Sequence, residues 1–234
     1  MNNYSDIAII IPTLNEAQNI EELIQNILRI FPQIKIIVAD DGSKDKTQDI
    51  VNRIHGKNSN ITLLDRSKEK IHGLTASVLD GIKIATTPFF IVMDADLQHP
   101  PEKIEAFINT LRSGQADFVI GIREKVIGDW PLHRRALSNL GRLMGRWFLL
   151  LQGKNCNDVL SGFFAGKTDL AKNLINQNPR RFEPKGYKIL FDLIKVAPKN
   201  IKIAEVAYAF NERKRGSSKI NVKHLLYYFR SFFS

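Results

Sequence analysis

The strongest constraint on the fold of this 234-residue chain is a series of short apolar runs that alternate with amphipathic segments of helical length. The runs lack the polar–apolar alternation of half-exposed strands, so they predict strands that are buried on both faces. They cover residues 6–12, 34–39, 61–64, 89–93 and 117–121. Strands that alternate with helices in this way predict right-handed crossovers and an α/β domain whose sheet is mostly parallel.

Polar or acidic residues follow these predicted strands. They are Asn15-Glu16, Asp40-Asp41, Asp65-Arg66, and Asp94 with Asp96. Because the carboxyl ends of parallel strands share one edge of a sheet, these groups are expected to converge on one crevice. An acid-rich crevice needs a divalent cation before it can hold a diphosphate.

Residues 89–102 are the most informative single stretch, with the sequence Phe-Phe-Ile-Val-Met-Asp-Ala-Asp-Leu-Gln-His-Pro-Pro-Glu. The buried strand stops at Asp94 and Asp96, and the Pro-Pro-Glu step is typical of a helix start. Two carboxylates and the amide oxygen of Gln98 are hard ligands that suit Mg²⁺ or Mn²⁺ completed by substrate phosphates. The alternative is that Asp96 or Gln98 caps the next helix while Asp94 is solvated.

Charge and motif content narrow the class of partner. The chain has 34 Lys and Arg against 24 Asp and Glu, a net charge of +10 that favours an anionic partner such as nucleotide phosphate, anionic lipid or nucleic acid. No Gly-x-Gly-x-x-Gly and no Walker-type loop is present, which disfavours dinucleotide oxidoreductases and P-loop enzymes. We expect no nucleic-acid partner, because the basic residues are not interleaved with aromatics on a recognisable module.

Apolar runs and cysteine content bear on the compartment. No apolar run is long enough to cross a bilayer, and the N-terminus lacks the layout of a signal peptide, so we expect a cytoplasmic protein. The single Cys156 excludes an internal disulfide.

The second half of the chain has a more basic and aromatic character. Residues 122–130 are predicted to form a loop, and residues 131–152 a long helix that combines arginines with Leu and Trp. That helix fits either a membrane-lying amphipathic helix or an ordinary helix that covers the sheet. Residues 213–219 form a basic, hydroxyl-rich stretch that is either a phosphate clamp or a solvated loop. The aromatic tail 222–233 can dock on its own domain, enter a membrane surface, or lead into a membrane segment.

Five motifs occur in order along the chain: Ile-Pro-Thr-Leu-Asn-Glu at 11–16, Asp-Asp-Gly-Ser at 40–43, Asp-Ala-Asp-Leu-Gln-His-Pro-Pro-Glu at 94–102, Ser-Gly-Phe-Phe at 161–164 and Arg-Gly-Ser-Ser-Lys at 215–219. Together they resemble the inverting glycosyltransferases of family two, and most closely their polyprenyl-phosphate (dolichol-phosphate) mannosyltransferase branch. The resemblance implies the GT-A fold, a Rossmann-like, mostly parallel sheet flanked by helices, with C-terminal amphipathic interfacial helices. It implies a glycosyltransferase domain over residues 1–212 (nucleotide-binding half 1–121, acceptor half 122–212), then a basic loop and amphipathic helix over 213–234.

The resemblance also assigns roles to individual positions. The residues that match nucleotide-binding positions are Pro12, Thr13, Glu16, Asp40, Asp41 and Asp94. Those that match the metal and diphosphate motif are Asp94, Asp96 and Gln98. Those that match positions near the acceptor phosphate are Arg123, Arg134, Ser138, Arg213, Arg215, Ser218 and Lys219. Of these, Asp96, Arg123 and Arg134 are the predicted catalytic residues.

The implied reaction is metal-dependent transfer of a hexose, with mannose favoured, from a nucleotide diphosphate-sugar to a polyprenyl or dolichyl monophosphate, with inversion. GDP-mannose is the favoured donor, with UDP-sugars possible and glucose or GlcNAc transfer as an alternative. The enzyme would bind an anionic membrane surface as a peripheral protein on the cytoplasmic face. A different alternative is transfer to a sugar hydroxyl of a glycan, which needs a carboxylate base, for which Asp158 is the candidate.

Overall fold

A computed structural model describes residues 4–126, 132–211, 215, 227–228 and 230–232, and the side chains of these residues except 125–126 and 132–139. The strands are β1 (Ile7–Thr13), β2 (Lys35–Asp40), β3 (Ile61–Asp65), β4 (Phe89–Val92), β5 (Phe118–Val126), β6 (Phe164–Lys167) and β7 (Ile203–Phe210). The helices are α1 (Ile20–Ile30), α2 (Thr47–His55), α3 (Leu74–Ile84), α4 (Ile104–Arg112), α5 (Leu132–Leu151), α6 (Thr168–Gln177) and α7 (Ile189–Val196). A short 3₁₀ turn (Pro101–Lys103) precedes α4, and another (Pro179–Arg181) follows α6.

The strands form one sheet with the order β3-β2-β1-β4-β6-β5-β7. All pairs are parallel except those of β6, which runs antiparallel to both β4 and β5. The α/β prediction with a mostly parallel sheet is therefore confirmed. Because β6 is reversed, its first residues lie at the same edge as the last residues of β4.

Two apolar layers enclose the sheet. On one face, the alternate residues Ile7, Ile9 and Ile11 of β1 pack with the buried face of α1 and with α4. On the other face, Ala8 and Ile10 pack with α3, α6 and α7. The strands of this half are thus covered on both sides, which explains why their sequences are uninterrupted apolar runs.

The predicted loop at 122–130 is wrong over residues 122–126, which continue β5. Arg123 thus lies within β5 instead of following it. This segment pairs with β7 through a bulge between Arg123 and Lys125, so its charged residues still make strand hydrogen bonds. The predicted boundary between residues 121 and 122 falls inside β5. The division into two halves stays a prediction.

Helix α5 packs one face on the protein and exposes another. Leu149 is buried, whereas an apolar stripe is exposed to solvent: Leu140, Leu143, Trp147, Leu150 and Leu151. In the described part of the chain, no helix has the combined length and apolarity that crossing a bilayer requires.

Part of the aromatic tail docks on the domain itself. Tyr228 donates a hydrogen bond from its hydroxyl to the carbonyl of Gly141 in α5 (2.9 Å). Phe232 packs edge-on against Phe148, with ring centroids 5.1 Å apart, and also contacts Phe191. The rest of the predicted C-terminal helix, like the basic stretch apart from Arg215, lies outside the described residues.

Candidate active site

The carboxylate of Asp40 organises the turn that follows β2. It is fully buried and accepts hydrogen bonds from the Thr13 hydroxyl (3.0 Å) and from the backbone N–H of Ser43 (2.8 Å). The side-chain amide of Gln48 also donates to it (2.7 Å). An anionic acceptor with this many donors fixes the loop between β2 and α2 against the end of β1.

The loop after β1 is bonded to the same turn. The backbone N–H of Asn15 donates to the Ser43 hydroxyl (2.7 Å), and that of Glu16 donates to the Thr47 hydroxyl (2.8 Å). Pro12 and Thr13 are the last two residues of β1. The predicted nucleotide-binding residues Pro12, Thr13, Glu16 and Asp40 therefore lie together at the carboxyl edge of the sheet.

Asp41 is held by a buried network that sequence reasoning missed. Its carboxylate pairs with the guanidinium of Arg66 and accepts from the backbone N–H of Gly73 (2.7 Å). One His72 ring nitrogen lies 3.1 Å from it. Arg66 also donates to Asp80 (2.9 Å), to the Ser77 hydroxyl (3.1 Å) and to the carbonyl of Ile71 (2.9 Å). Arg66 thus ties the end of β3 to α3 and to Asp41.

Asp94 lies against a glycine because of the strand register. Val92 of β4 pairs with Phe164 of antiparallel β6, so the next residues along each strand face each other beyond the ladder. A Cβ atom placed on Gly162 would lie 2.5 Å from Oδ2 of Asp94. Only a residue without a side chain leaves room for this carboxylate, which explains the glycine in the Ser-Gly-Phe-Phe motif.

His99 contacts the backbone of Asp94. Its Nδ1 accepts the backbone N–H of Asp94 (3.2 Å), which leaves the proton on Nε2, 4.0 Å from Oδ2 of Asp94. The imidazole is buried among aromatic rings, stacked on Phe163 at 5.1 Å and edge-on to Tyr208 at 5.7 Å. Burial lowers the pKa of His99 to about 4, although nearby Asp96 acts in the opposite direction, so the ring is neutral at pH 7.

Asp96 and Gln98 complete the strand-end motif. Asp96 is buried and its Oδ1 accepts the backbone N–H of Gln98 (3.2 Å). The Gln98 side chain donates from Nε2 to the carbonyl of Asn211 (2.9 Å), and the Asn211 N–H donates back to the Gln98 carbonyl (3.1 Å). Oε1 of Gln98 is therefore the end left without a partner among the described residues. The capping alternative is wrong, because the 3₁₀ turn begins after Pro100 without a side-chain cap.

The donor set of this motif suits a hard divalent cation. Two carboxylates and an amide oxygen lie within residues 94–98, shortly after β4, and the glycine at 162 keeps space open at Asp94. Among the described residues no group of three His, Cys, Asp or Glu side chains forms a metal cluster. A site built here would therefore rely on the amide oxygen and on substrate oxygens in addition to the two aspartates.

Arg123 and Asp158 form a bidentate ion pair. Nε and Nη2 of Arg123 donate to the two carboxylate oxygens of Asp158, at 3.0 and 3.2 Å. The Arg123 guanidinium also lies over the Phe210 ring, 5.6 Å from its centroid. Asp158 is buried, and both its oxygens are engaged by Arg123, whose second terminal nitrogen, Nη1, makes no hydrogen bond to a described residue.

The remaining predicted acceptor residues lie in less completely described segments. Arg215 donates from Nη1 to the carbonyl of Gln18 (2.8 Å) and pairs with Glu22 (3.3 Å), so the basic stretch contacts the start of α1. Arg134 and Ser138 lie on α5, but their side chains are outside the description. Three further predicted residues lie wholly outside the described residues: Arg213, Ser218 and Lys219.

Comparison with known proteins places this site in a family. Residues 8–174 match the family model described as glycosyl transferase family 2. The chain belongs to glycosyl transferase family 2. The match includes all of β2 to β6 and β1 from its second residue, and so contains the Asp94–Gly162 contact.

Several relatives within this family are similar over most of the chain. A dolichol-phosphate mannosyltransferase of Pyrococcus furiosus is 34% identical over 229 residues, covering 96% of this chain and 62% of its own length. This chain thus spans less than two thirds of that relative. A Saccharomyces cerevisiae protein of the same name is 30% identical, covering 94% of this chain and 83% of the relative. A polyprenol monophosphomannose synthase of Mycolicibacterium smegmatis is 28% identical, covering 91% of this chain and 80% of the relative.

Solved structures confirm the fold of this family 2 domain. Glucosyl-3-phosphoglycerate synthase from Mycobacterium tuberculosis, crystallised with Mn²⁺, UDP and glucosyl-3-phosphoglycerate, superimposes with a TM-score of 0.67 at 20% identity. The alignment covers 97% of this chain and 77% of the synthase. A complex of the same enzyme with Mn²⁺, UDP-glucose and phosphoglyceric acid gives a TM-score of 0.66 at 19% identity, over 97% of this chain and 79% of the other. The predicted GT-A fold is thereby confirmed.

Proposed function

We propose that this family 2 enzyme transfers a hexose, most favourably mannose, from a nucleotide diphosphate-sugar to a polyprenyl or dolichyl monophosphate with inversion. The observation that carries this proposal is the agreement among relatives. Proteins named dolichol-phosphate mannosyltransferase or polyprenol monophosphomannose synthase align with 91–96% of the chain. By this assignment GDP-mannose is the favoured donor, and the nucleotide contacts the edge formed by Pro12, Thr13, Glu16 and the two aspartates after β2.

A divalent cation, Mg²⁺ or Mn²⁺, would be held by Asp94, Asp96 and the Oε1 of Gln98. The solved relative with Mn²⁺ and UDP supports a metal in this fold. When bound, such an ion neutralises the negative charge that develops on a leaving nucleotide diphosphate. The chain's own contribution is to orient the ligands: His99 accepts the backbone N–H of Asp94, and Gly162 leaves space for its carboxylate. The carbonyl of Asn211 accepts the amide N–H of Gln98, which leaves Oε1 for the ion.

The acceptor phosphate in this reaction is already charged and can act as the nucleophile without help from a base. A phosphate monoester has a second pKa near ~6, so it is largely dianionic at neutral pH and needs no general base. The site has to position the phosphate and balance its charge, which suits Arg123 together with Arg134 and the basic stretch 213–219. The pairing of Asp158 with Arg123 supports this proposal, because both carboxylate oxygens already accept hydrogen bonds from the guanidinium and Asp158 therefore serves as the partner of an arginine.

A membrane-bound acceptor requires the enzyme to work at the bilayer surface. The exposed stripe on α5 presents Leu143, Trp147 and Leu151 on a chain with a net charge of +10. Apolar side chains that enter the headgroup region, combined with attraction to anionic lipid, are the usual basis of peripheral binding. We propose that the protein binds a membrane peripherally with the stripe against the lipid, and that this membrane face is the cytoplasmic one.

The decisive experiment is a transfer assay with the full chain and polyprenyl phosphate in anionic vesicles. GDP-mannose, UDP-glucose and UDP-GlcNAc are supplied in turn, with Mg²⁺, with Mn²⁺ or with a chelator. We expect mannosyl-phosphoryl lipid from GDP-mannose, with no product in the chelator arm and with the protein floating with the vesicles. Transfer only to free glycans, abolished by Asp158→Asn without loss of folding, would replace this proposal with the hydroxyl-acceptor alternative.

A further inference from the structure

Lys188 carries an ammonium group that interacts electrostatically with Arg123, Asp158 and Asp94. The residue lies immediately before α7 and is half-buried. Its Nζ donates to the carbonyl of Leu160 (2.8 Å) and lies 4.2 Å from the centroid of the Tyr187 ring. Leu160 directly precedes Ser161 and Gly162, so this bond ties Lys188 to the turn that contacts Asp94.

Lys188 makes fewer hydrogen bonds than Lys154 and Lys195, the two buried lysines among the described residues. Lys154 fills its three N–H donors with the carbonyls of Ile194 (2.9 Å) and Lys195 (2.7 Å) and with the Gln152 side chain (3.1 Å). Lys195 donates to the carbonyls of Arg181 (2.8 Å) and Ser231 (2.6 Å) and pairs with Asp192 (3.3 Å). Among the described residues, Lys188 makes one hydrogen bond and no ion pair.

The charges around Lys188 are those of the crevice itself. Arg123, Asp158 and Asp94 are the groups that act on it electrostatically. Burial, followed by the repulsion of Arg123, lowers the pKa of Lys188 to about 7, while the two aspartates act in the opposite direction. Asp158 is already engaged by Arg123 through both its oxygens. The two other N–H donors of Lys188 find no acceptor among the described residues, and an anion is the acceptor that would best offset their partial burial.

We propose that Lys188 binds an oxygen of the acceptor's phosphate monoester, together with Arg123. This inference rests on the proposed function and adds a residue to it. Arg123 supplies the unfilled Nη1 of its guanidinium and Lys188 supplies two N–H donors of an ammonium, so the two cations can contact different oxygens of one dianionic phosphate. The hydrogen bond to Leu160 keeps the ammonium close to Asp94, where the sugar and the acceptor have to meet.

The test compares Lys188→Met with Lys188→Arg and with Lys199→Met, a control at an exposed lysine between α7 and β7. We expect Lys188→Met to raise the KM for polyprenyl phosphate about 10- to 100-fold, as for the loss of a hydrogen bond to a charged group. The Kd for the donor should be unchanged, Lys188→Arg should restore part of the loss, and Lys199→Met should behave as wild type. Thermal unfolding checks the fold, and Lys188→Gln replaces the methionine variant if that variant is unstable.

Direct titration with a short-chain isoprenyl phosphate gives a readout that does not depend on turnover. Binding that Lys188→Met weakens and Lys199→Met does not would support the proposal, even if wild type transferred no sugar and the proposed function failed. An acceptor affinity equal in Lys188→Met and wild type would overturn it. A donor affinity that falls as much as the acceptor affinity would also overturn it, by placing Lys188 on the donor diphosphate.

Discussion

Two arginines at the carboxyl edge of the sheet differ in how completely the protein satisfies them. Arg66, after β3, is buried and bonds to two carboxylates, a hydroxyl and a carbonyl. Arg123, in β5, bonds to the single carboxylate of Asp158 and leaves one nitrogen unfilled among the described residues. Since a buried donor without a partner is costly, the filled network belongs to the scaffold, and the partly filled one is where a ligand gains most.

Asp41 and Asp94 also differ in the protein groups that contact their carboxylates. Asp41 is bound to Arg66 and to the backbone of Gly73, so its carboxylate is fixed by protein groups alone. Asp94 is instead accommodated by the missing side chain of Gly162 and by a neutral histidine. We therefore expect substitutions in the Arg66 network to change stability, and those around Asp94 to change ligand binding and turnover.

The largest effect is expected for Arg66→Met. Its side chain and that of Asp41 are 3% and 9% exposed, so the substitution leaves a buried carboxylate without its cation. We expect a loss of about 3–5 kcal/mol in the free energy of unfolding, measured by denaturant titration. Arg53→Met is the control, because Arg53 is 56% exposed in its pair with Glu21 and should cost less than about 1 kcal/mol. Equal losses of stability in Arg66→Met and Arg53→Met would contradict the assignment of the Arg66 network to the scaffold.

Asp96→Asn should act on turnover instead. The asparagine can still accept the N–H of Gln98, so folding is retained, but a charged ligand of the predicted cation is lost. We expect the rate of sugar transfer to fall at least about 100-fold, as when one electrostatic stabiliser is removed from an active site. The exposed Asp49→Asn on α2 is the matched control. Retained turnover in Asp96→Asn would contradict the prediction that Asp96 is a ligand of a catalytic cation.

Gly162→Ala tests the space at Asp94 with a single methyl group. That carbon would lie 2.5 Å from the carboxylate, which has to move away. A displaced ligand should lower the affinity for Mn²⁺ about 10-fold, as for loss of a group that orients a metal ligand. Gly56→Ala is the control, since its nearest neighbours would lie 3.6 and 3.8 Å away. Calorimetric titration with Mn²⁺ measures both, and an unchanged affinity in Gly162→Ala would argue that Asp94 is not a ligand.

The smallest effect concerns Lys154, whose donors are all filled. Burial lowers its pKa from 10.5 to about 8. Between these values the unfolded chain binds more protons than the folded one, so raising the pH favours the folded state. We expect the stability of wild type relative to Lys154→Met to increase from pH 8 towards pH 10.5, as followed by guanidinium titrations. A difference that stays constant with pH would show that the ammonium is less buried than the fold indicates.

The sequence predicted the strands of the parallel half closely because their residues are apolar without interruption. Each of β1 to β4 begins and ends within one residue of its prediction. The end of β5 was missed because Arg123-Glu124-Lys125 resembles a loop, and only its pairing with β7 satisfies the backbone there. The direction of β6 was also beyond the sequence, since a four-residue strand carries no pattern that distinguishes parallel from antiparallel pairing.

The sequence predicted the site residues that directly follow a strand. It did not predict the contacts that residues distant in the sequence make with one another. Asp94 and Asp96 follow a recognisable strand, so their place at the edge could be expected. Arg66 was expected at this edge as part of Asp65-Arg66, but no pattern in the sequence indicated its pairing with Asp41, and Lys188 follows no predicted strand. Their importance depends on the partners that surround them, which are brought together only by the folded chain.

The insertion of β6 between β4 and β5 has a consequence for how the protein is made. A nascent chain that has emerged just past β4 can already pair β1, β2 and β3 with one another, because these strands are neighbours both in the sequence and in the sheet. It then carries the acid pair, but Asp158, Gly162 and Lys188 have still to be synthesised. β6 can pair with β4 only after residues 164–167 have been made, so the crevice is completed late. Sugar transfer therefore requires a chain that extends beyond β6, although the acid pair is synthesised much earlier.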